Sequence, residues 1–164
     1  MRKAFVFDFD DTLATTDACV EVYIPETDWT VRKLSPAEFN EYELKSGEEF
    51  DFSQFQCPDL VENGKPTDLV NLAREVHEEK HGVYILTARS SEVAHAIAKF
   101  LDIHGIQAKQ IICLGDKNDS KQIAHNKRKV LLTIMESYDR IYFYDDNKDN
   151  IELAKEVGVK SYLV

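Results

Sequence analysis

The chain has few of the residues that build disulfide frameworks or membrane spans. Its 164 residues include three cysteines, which are widely separated and form no CxxC motif. A disulfide framework or a cysteine-ligated zinc site is therefore not expected, and a reducing cytoplasm is the predicted compartment. No apolar run approaches the roughly 20 residues of a membrane-spanning helix. No signal peptide is predicted, because no small-residue cleavage site follows a long apolar stretch near the N-terminus.

Basic residues are also scarce relative to acidic ones. The chain has 20 lysines and arginines against 30 aspartates and glutamates, a net charge of −10. Such a protein is not expected to bind nucleic acid through its overall field. A nucleic-acid end is still compatible as a substrate, because a bound metal and a few local cations can reverse the sign of the potential inside a site. There is no Walker loop, so no attached kinase activity is predicted.

Five short apolar runs predict buried strands, and helical patterns separate most of them. The runs are continuous rather than alternating, which is typical of a parallel sheet covered on both faces; they span residues 4–7, 83–86, 111–114, 141–144 and 161–164. Helices are predicted over residues 66–80, 91–104, 127–138 and 148–157. This alternation predicts an α/β fold, a doubly wound Rossmann-like parallel sheet, in one domain over residues 1–164.

One segment, residues 15–65, breaks the alternation and is too long for a turn. Within it, Ser35 and Glu38 form a capping box with Pro36 at the first helical position, which predicts a short helix to about residue 45. Seven aromatic residues cluster between Tyr23 and Phe55. They could stack on a base of a substrate, but core packing is the expected role of most of them. We expect a short α-containing insertion at the carboxyl edge of the sheet, with no full cap domain.

Carboxylates follow two of the predicted strands at the point where each strand ends. Asp8, Asp10 and Asp11 follow residues 4–7, and Asp145 and Asp146 follow residues 141–144. Parallel strands end at the same edge of a sheet, where doubly wound folds bind their ligands. A solvated, aspartate-rich turn explains one cluster alone, but two converging clusters repel each other unless a cation lies between them. All-oxygen ligation predicts Mg²⁺.

The chain resembles the haloacid dehalogenase-like superfamily in four motifs that occur in order. The strand at residues 4–7 followed by DFDDT resembles its motif one, DxDxT, and LTAR at residues 86–89 looks like motif two. The helix at 127–138 and the YFYDDN of residues 142–147 look like motifs three and four. The arrangement is most similar to the phosphatase domains of polynucleotide kinases. The resemblance implies a Mg²⁺-dependent phosphoric monoester hydrolase.

The resemblance also implies roles for the four site aspartates. Asp8 is the expected nucleophile, which forms an aspartyl-phosphate. Asp10 is the expected acid and base: it protonates the leaving oxygen and then deprotonates water. Asp8, Asp10, Asp145 and Asp146 are the predicted metal site, with Asp146 as a direct ligand and Asp10 contributing its main-chain carbonyl. Asp145 is expected to hold the motif-three lysine or a metal-bound water, while Asp149 and Asn150 are expected to start a helix.

Three further residues follow from the same motifs. Thr87 is expected to donate a hydrogen bond to a phosphate oxygen, although a strand-end threonine needs no function by itself. Thr12, which should hold the turn, and Arg89, whose planar fork suits phosphate, are the predicted substrate-binding residues. A surface arginine is the alternative for Arg89.

The motif-three lysine has three candidates, Lys121, Lys127 and Lys129. We favour Lys127 as a catalytic residue, because Asn126 can cap a helix and would put Lys127 in its first turn, near the sheet edge. Lys127 also precedes Asp146 by 19 residues, a spacing that resembles the polynucleotide kinase phosphatases. Lys129 is expected to face solvent.

Residues 77–81, HEEKH, match the zinc-protease motif HExxH. The match lies just before Gly82 and a predicted buried strand, in a polar context and without a clear third ligand. We therefore expect a solvated helix end, where the histidines interact favourably with the C-terminal end of the helix dipole.

The expected substrate is a phosphomonoester, either a nucleic-acid 3′-phosphate or a nucleotide or other small phosphoester. A short insertion predicts an open site, which favours the large substrate, whereas the charge of −10 favours the small ones. A non-catalytic binding domain with the same fold is the alternative of another class, and the complete set of motifs argues against it. No membrane or stable protein partner is predicted.

Overall fold

A computed structural model describes residues 1–115 and 120–164, apart from the side chains at positions 120 and 121. The strands in these ranges are β1 (Lys3–Phe7), β2 (Ala14–Thr15), β3 (Val20–Ile24), β4 (Trp29–Leu34), β5 (Glu49–Asp51), β6 (Lys65–Pro66), β7 (Gly82–Thr87), β8 (Gln110–Cys113), β9 (Arg140–Asp145) and β10 (Lys160–Leu163). The helices are α1 (Pro36–Glu41), α2 (Pro58–Glu62), α3 (Leu69–Glu78), α4 (Ala94–Ile103), α5 (Ser120–Met135) and α6 (Lys148–Glu156). Two 3₁₀ turns span Ser53–Gln56 and Ser91–Val93.

The central sheet has five parallel strands in the order β10-β9-β1-β7-β8. Each predicted strand overlaps an observed one, so the prediction of a doubly wound parallel sheet is confirmed. β1 lies in the middle, and its last residue, Phe7, is in register with Tyr144 of β9. The residues that follow β1 therefore lie beside the end of β9, at the carboxyl edge of the sheet.

Helices cover the sheet on both faces, which explains the continuous apolar runs. One face packs against α3 and α4 through Phe5, Phe7 and Ile85, among others. The other face packs against α5 and α6, with Val6, Leu86 and Phe143 in its core. Because both sides of β1 and β7 are buried, these strands carry no polar face, as expected for an α/β sandwich.

Helix α5 begins at Ser120, so the prediction that Asn126 caps a helix starting at Lys127 is wrong. Lys127 lies in the third turn of α5, on the same buried side as Ala124 and Leu131. A charged residue in the middle of an apolar stripe hid the helical period in the sequence.

Among the helices of the described ranges, none has the length and apolar character that crossing a membrane requires.

The insertion contains more β-structure than the sequence predicts. Its ends meet in the antiparallel pair β2–β6, where Ala14 lies opposite Pro66, so Pro66 belongs to a strand and α3 begins only at Leu69. Between them, β4-β3-β5 form an antiparallel sheet. The capping box of Ser35 and Glu38 is confirmed, although α1 ends at Glu41 rather than near residue 45.

The hairpin β3–β4 was not predicted because β4 carries no periodic signal. All of its residues except Leu34 are exposed, whereas a half-buried strand alternates. The cluster that the insertion buries consists of Val20, Val22 and Leu34, against which five aromatic residues pack: Phe39, Tyr42, Phe50, Phe52 and Phe55. Most of the aromatic residues thus pack in a core, as expected.

Candidate active site

The turn after β1 brings Asp8 and Asp10 to the carboxyl edge of the sheet. The main-chain N–H of Asp8 donates to the carbonyl of Tyr144 at 2.9 Å, so the sheet still holds Asp8. The carbonyl of Phe9 then accepts the N–H groups of the next turn. The chain reverses around Asp11, whose φ of +56° lies in the left-handed region that aspartate tolerates better than most residues.

Asp8 belongs to a buried hydrogen-bonded network with Lys127 and Asp145. Nζ of Lys127 donates to Oδ1 of Asp8 at 3.0 Å and to Oδ2 of Asp145 at 2.7 Å. Oγ1 of Thr12 donates to the other oxygen of Asp8 at 3.3 Å. Only 2% of Lys127 is exposed. The lysine is therefore fixed between the two carboxylates and neutralises only one of them.

Asp145 is held on both of its oxygens. Its Oδ1 accepts from the main-chain N–H of Asn147 at 2.8 Å, and its Oδ2 accepts from the side chain of Asn150 at 3.0 Å in addition to Lys127. The residue is fully buried. These contacts favour the holding role among the roles expected of Asp145, and they place Asn150 on the buried side of α6 as its support. Asn147 caps the helix.

Asp8, Asp145 and Asp146 bring carboxylate oxygens within 4.8 Å of one another. Three carboxylates and the ammonium of Lys127 leave a net charge of −2, which a divalent cation would balance. Burial first, and then Asp145, raises the pKa of Asp8 well above its ordinary value, despite Lys127. Burial likewise raises the pKa of Asp146 to about 6. The residues present fit a hard, oxygen-ligated cation such as Mg²⁺.

Lys127 stays charged in this environment. Burial acts to lower its pKa, but the adjacent Asp145 and Asp8 carboxylates outweigh burial and hold the pKa above its ordinary value. Of the other candidates for the motif-three lysine, Lys129 is exposed on the same helix. The side chain of Lys121 lies outside the described residues.

Asp10 is held by Arg89 and does not belong to the group formed by Asp8, Asp145 and Asp146. Nε of Arg89 donates to one oxygen of Asp10 at 2.9 Å and Nη2 to the other at 2.7 Å. Nη1 donates to the carbonyl of Phe55 at 2.8 Å, and only 3% of Arg89 is exposed. The guanidinium group of Arg89 therefore pairs with the carboxylate of Asp10. Its role as a phosphate ligand stays a prediction, whereas the observed contacts give it a positioning role.

Thr87 and Thr12 are both buried at this edge. Thr87 ends β7, and its hydroxyl accepts from the main-chain N–H of Arg89 at 3.1 Å. The hydroxyl can still donate its own proton to a ligand. Thr12 contacts Asp8 and, through its carbonyl, accepts from the hydroxyl of Thr67. Thr12 thus connects the turn to the end of the insertion, while its role in substrate binding stays a prediction.

A cavity of about 170 Å³ opens above these groups. Its floor includes Asp8, Asp10, Asp146, Thr87 and Lys127, and its far wall comes from the insertion, which contributes Val20, Pro36, Phe39, Asn40, Phe52 and Phe55. Pockets that enclose a whole drug-sized ligand are larger, about 300–1,000 Å³. The cavity therefore suits a phosphoryl group and the first part of whatever carries it, with the rest outside.

The insertion residues of this wall were missed as site residues. Phe55 lies 34 positions before Arg89 in the chain, and it accepts through its main-chain carbonyl. Every residue has such a carbonyl, so the residue type did not indicate this contact. Asn150 was assigned to a helix start, where it does lie, but its contact with Asp145 depends on burial. Aromatic content was the one signal available for the wall, and it does not separate packing from lining a cavity.

The HExxH match does not build a metal site. Helix α3 ends at Glu78, so His77 lies in its last turn and His81 lies beyond it, after Lys80 at a φ of +65°. The two histidines therefore do not share a helical face. Within the described ranges, the only group of three or more potential ligands is Asp8, Asp145 and Asp146.

We expect the double change His77→Ala and His81→Ala to leave catalytic activity within about twofold of the wild type, because neither residue contacts the cavity. The measurement is Mg²⁺-dependent phosphate release, together with the zinc content of the purified protein. Loss of activity accompanied by loss of bound zinc would show instead that these histidines bind a metal.

No protein-family model matches the chain, and no curated protein matches it. Several solved structures match the chain. A chain of the Pnkp1/Rnl/Hen1 RNA repair complex aligns with 100% of this chain at a TM-score of 0.60 and 14% identity. This chain spans 42% of the length of that protein.

In two other structures, the match extends over a larger share of the matched chain. The D,D-heptose 1,7-bisphosphate phosphatase from B. bronchiseptica, complexed with magnesium and phosphate, aligns with 98% of this chain and 79% of its own at a TM-score of 0.58 and 12% identity. A haloacid dehalogenase-superfamily hydrolase from Geobacter sulfurreducens aligns with 99% of this chain and 89% of its own at a TM-score of 0.59 and 15% identity. These likenesses show that the chain has the haloacid dehalogenase-like fold.

Proposed function

We propose that the protein is a Mg²⁺-dependent phosphatase that hydrolyses a phosphomonoester through an aspartyl-phosphate at Asp8. The observation that carries the proposal is the buried arrangement of Asp8 with Lys127 and Asp145, beside Asp146 and below an open cavity. A carboxylate that is oriented by a cation and lies under a cavity is suited to attack phosphorus. Asp10, two residues on, supplies the proton transfers.

The first step transfers the phosphoryl group to the enzyme. A carboxylate oxygen of Asp8 forms a bond to phosphorus, and the bond from phosphorus to the leaving oxygen breaks. Asp10 gives its proton to that oxygen, so an alcohol departs rather than an alkoxide. Lys127 lies 3.0 Å from Asp8 and reduces the repulsion between its carboxylate and the phosphate. Thr87 is proposed to donate to a phosphate oxygen.

The second step returns Asp8 to its initial state. Water attacks the phosphorus of the aspartyl-phosphate, the bond between phosphorus and Asp8 breaks, and Asp10 accepts the proton of the water. Asp10 accepts hydrogen bonds from Arg89 on both oxygens. Each oxygen of Asp10 keeps a further acceptor site, so it can take the proton while the pairing with Arg89 persists.

We propose Asp8, Asp146 and the main-chain carbonyl of Asp10 as the residues that hold Mg²⁺. Asp145 lies in the same cluster, but it already accepts three hydrogen bonds from the protein, against two at Asp8, so we assign it to holding Lys127. When bound, the cation neutralises charge on the carboxylates and on the phosphoryl oxygens.

Release of p-nitrophenol from p-nitrophenyl phosphate, measured with and without Mg²⁺, tests the proposal. We expect turnover that requires Mg²⁺ and is lost on chelation with EDTA. A wild-type protein that binds Mg²⁺ but turns over no phosphomonoester would instead favour the non-catalytic binding domain.

Mg²⁺ is expected to stabilise the protein strongly at pH 7 and weakly at pH 5. Folding raises the pKa of Asp146 from 3.8 to about 6, so the folded state binds more protons than the unfolded state between these values. The metal-free protein should therefore lose stability as the pH rises through this window. At about 100 times its Kd, Mg²⁺ contributes about 2.7 kcal/mol, which is about 5–10 °C in the unfolding midpoint.

Thermal unfolding at the two pH values, with and without Mg²⁺, provides the measurement, and Asp146→Asn is the control. Without metal, this variant should be more stable than the wild type at pH 7, by a margin that shrinks as the pH falls toward 3.8, the ordinary pKa of the carboxyl. Its midpoint should respond little to Mg²⁺. An equal Mg²⁺ shift in both proteins at pH 7 would exclude Asp146 as a ligand.

We further propose that the substrate is a nucleic-acid 3′-phosphate. Two observations support this choice over a sugar phosphate. The described insertion wall of the cavity carries aromatic and other uncharged side chains, including Phe39 and Phe52, and aromatic rings bind bases. The fold is also shared with a chain of an RNA repair complex. The net charge of −10 favours short over long polymers.

A panel of 3′-phosphorylated oligonucleotides, mononucleotides and sugar phosphates discriminates among these substrates. We expect a higher kcat/KM for 3′-phosphorylated oligonucleotides than for mononucleotides or sugar phosphates. A preference for sugar phosphates would leave the phosphatase proposal standing and overturn the nucleic-acid one.

A further inference from the structure

Arg89 joins three separate parts of the molecule. It lies two residues beyond β7, and it donates to Asp10 after β1 and to Phe55 and Thr16 in the insertion. The two contacts with the insertion come from parts of that segment that are far apart in sequence, since Thr16 directly follows β2 and Phe55 lies 39 residues later. Arg89 is nearly completely buried, so water does not replace these partners.

Phe55 contacts Arg89 in two independent ways. Its carbonyl accepts from Nη1 at 2.8 Å, and its ring centroid lies 4.8 Å from the guanidinium carbon. The ring of Phe9 lies farther away, at 5.8 Å. A guanidinium that packs against an aromatic face and donates in its own plane has its orientation defined.

The main chain around Phe55 is itself fixed. Phe55 belongs to the 3₁₀ turn Ser53–Gln56, and its N–H donates to the carbonyl of Phe52 at 2.9 Å. The neighbouring Gln54 accepts from the N–H of Cys19 at 2.9 Å. The carbonyl of Phe55 is therefore presented from a turn that the rest of the insertion holds in place.

We infer that Phe55 is a positioning residue that, through Arg89, fixes the orientation in which Asp10 exchanges protons. The inference rests on the proposed phosphatase function. Nε and Nη2 of Arg89 meet the two oxygens of Asp10 at 2.9 and 2.7 Å, so a rotation of the guanidinium turns the carboxylate with it. The insertion thus supports the proton transfers as well as forming one wall of the cavity.

The dependence of rate on the leaving group separates this role from others. When an alkoxide leaves, the bond to phosphorus breaks only as Asp10 supplies a proton, so a displaced Asp10 slows the reaction. The p-nitrophenolate anion leaves without that proton. A defect in positioning Asp10 therefore affects an alkyl ester far more than p-nitrophenyl phosphate, whereas a general structural defect affects both.

The experiment compares kcat/KM for benzyl phosphate and p-nitrophenyl phosphate, which carry aromatic groups of similar size but leave as an alcohol and as a stable anion. We expect Phe55→Ala to lower kcat/KM about 10–100-fold for benzyl phosphate, part of the 10²–10⁴ that acid catalysis supplies. The loss for p-nitrophenyl phosphate should be less than about threefold. The ratio kcat/KM reports the first chemical step, in which the leaving group departs.

Phe52→Ala is the matched control, because Phe52 lines the same cavity and packs in the same cluster. Any loss from this variant should be equal for the two substrates. If Phe55→Ala does not fold, Phe55→Leu provides the test: it keeps an apolar side chain and removes the ring face. We expect the same bias toward loss on benzyl phosphate, of smaller size.

Equal losses on the two substrates, an effect on KM alone, or no effect in a folded variant would each overturn the positioning role. When the wild type turns over both esters, these outcomes would leave the phosphatase proposal intact. Absence of turnover by the wild type would instead overturn the proposed function and this inference with it.

Discussion

Asp8→Asn is expected to abolish turnover, with a fall in kcat of about 10⁴-fold or more, as is typical when a nucleophile is removed. Asparagine fills nearly the same space and still offers an oxygen to Nζ of Lys127, which lies 3.0 Å from Asp8. It does not form an acyl phosphate. Release of p-nitrophenol at saturating Mg²⁺ measures the loss.

Stability provides the control for this variant. Burial and the neighbouring aspartates raise the pKa of Asp8, so ionisation of this group opposes folding at neutral pH in the absence of metal. We therefore expect metal-free Asp8→Asn to unfold at the same temperature as the wild type or a higher one. Full activity in a folded variant would exclude Asp8 as the nucleophile, and a lower midpoint would contradict the account of the charge cluster.

Lys127→Met is expected to have the largest effect on stability. The change leaves Asp8 and Asp145 buried without the ammonium that they share. Removing one partner of a buried ion pair costs about 3–5 kcal/mol, or roughly 10 °C in the unfolding midpoint. Because folding raises the pKa of Lys127, its contribution is fully present below the ordinary lysine value of 10.5 and is lost only in strong alkali.

The same variant should lose catalytic activity by about 10²–10³-fold, as when a group that stabilises transition-state charge is removed. Lys129→Met is the matched control: it is in the same helix, two residues away and exposed. Its effect on the free energy of unfolding should stay within about 0.5 kcal/mol, with activity unchanged. Chemical denaturation and phosphate release compare the two variants. Similar losses in both would exclude a special role for Lys127.

The central sheet could be predicted from the sequence because its strands are buried on both faces. Continuous apolar runs such as residues 4–7 and 83–86 have few alternative explanations, and their order with the helices defines the fold class. The aspartates at the strand ends then converge because parallel strands share an edge. Local pattern and topology agree at these positions, so Asp8, Asp145 and Asp146 were placed together correctly.

The remaining features depend on tertiary contacts that local patterns do not contain. The predicted start of helix α5 lies too late in the chain, because Lys127 interrupts the apolar stripe of this helix. Lys127 occupies that buried position because it pairs with Asp8 and Asp145. Strand β4 was missed because its side chains are exposed. In the first case an ion pair of the site, and in the second the exposure of the strand to solvent, removes the hydrophobic periodicity on which sequence interpretation relies.

Arg89 shows the limit for individual side chains. A motif places an arginine near a phosphate-binding edge, but it does not say which acceptor the fork meets. That choice depends on Asp10, 79 residues earlier, and on the carbonyl of Phe55. Charge and hydrogen-bonding capacity were predictable, whereas the partner required the fold of the insertion.

The short ladder between β2 and β6 has a consequence for how this protein can change in evolution. Ala14 and Thr15 pair with Pro66 and Lys65, and the N–H of Thr67 donates to the carbonyl of Leu13 at 2.9 Å, so the segment between leaves and rejoins the fold at one point. Doubling the length of a loop closed in this way costs only about 0.6 kcal/mol. Insertions and deletions between residues 16 and 64 can therefore alter the wall of the cavity while the strand ends that carry the aspartates stay in register. Such changes are constrained where Phe55 and Thr16 meet Arg89 and where Val61 packs in the core beside the central sheet.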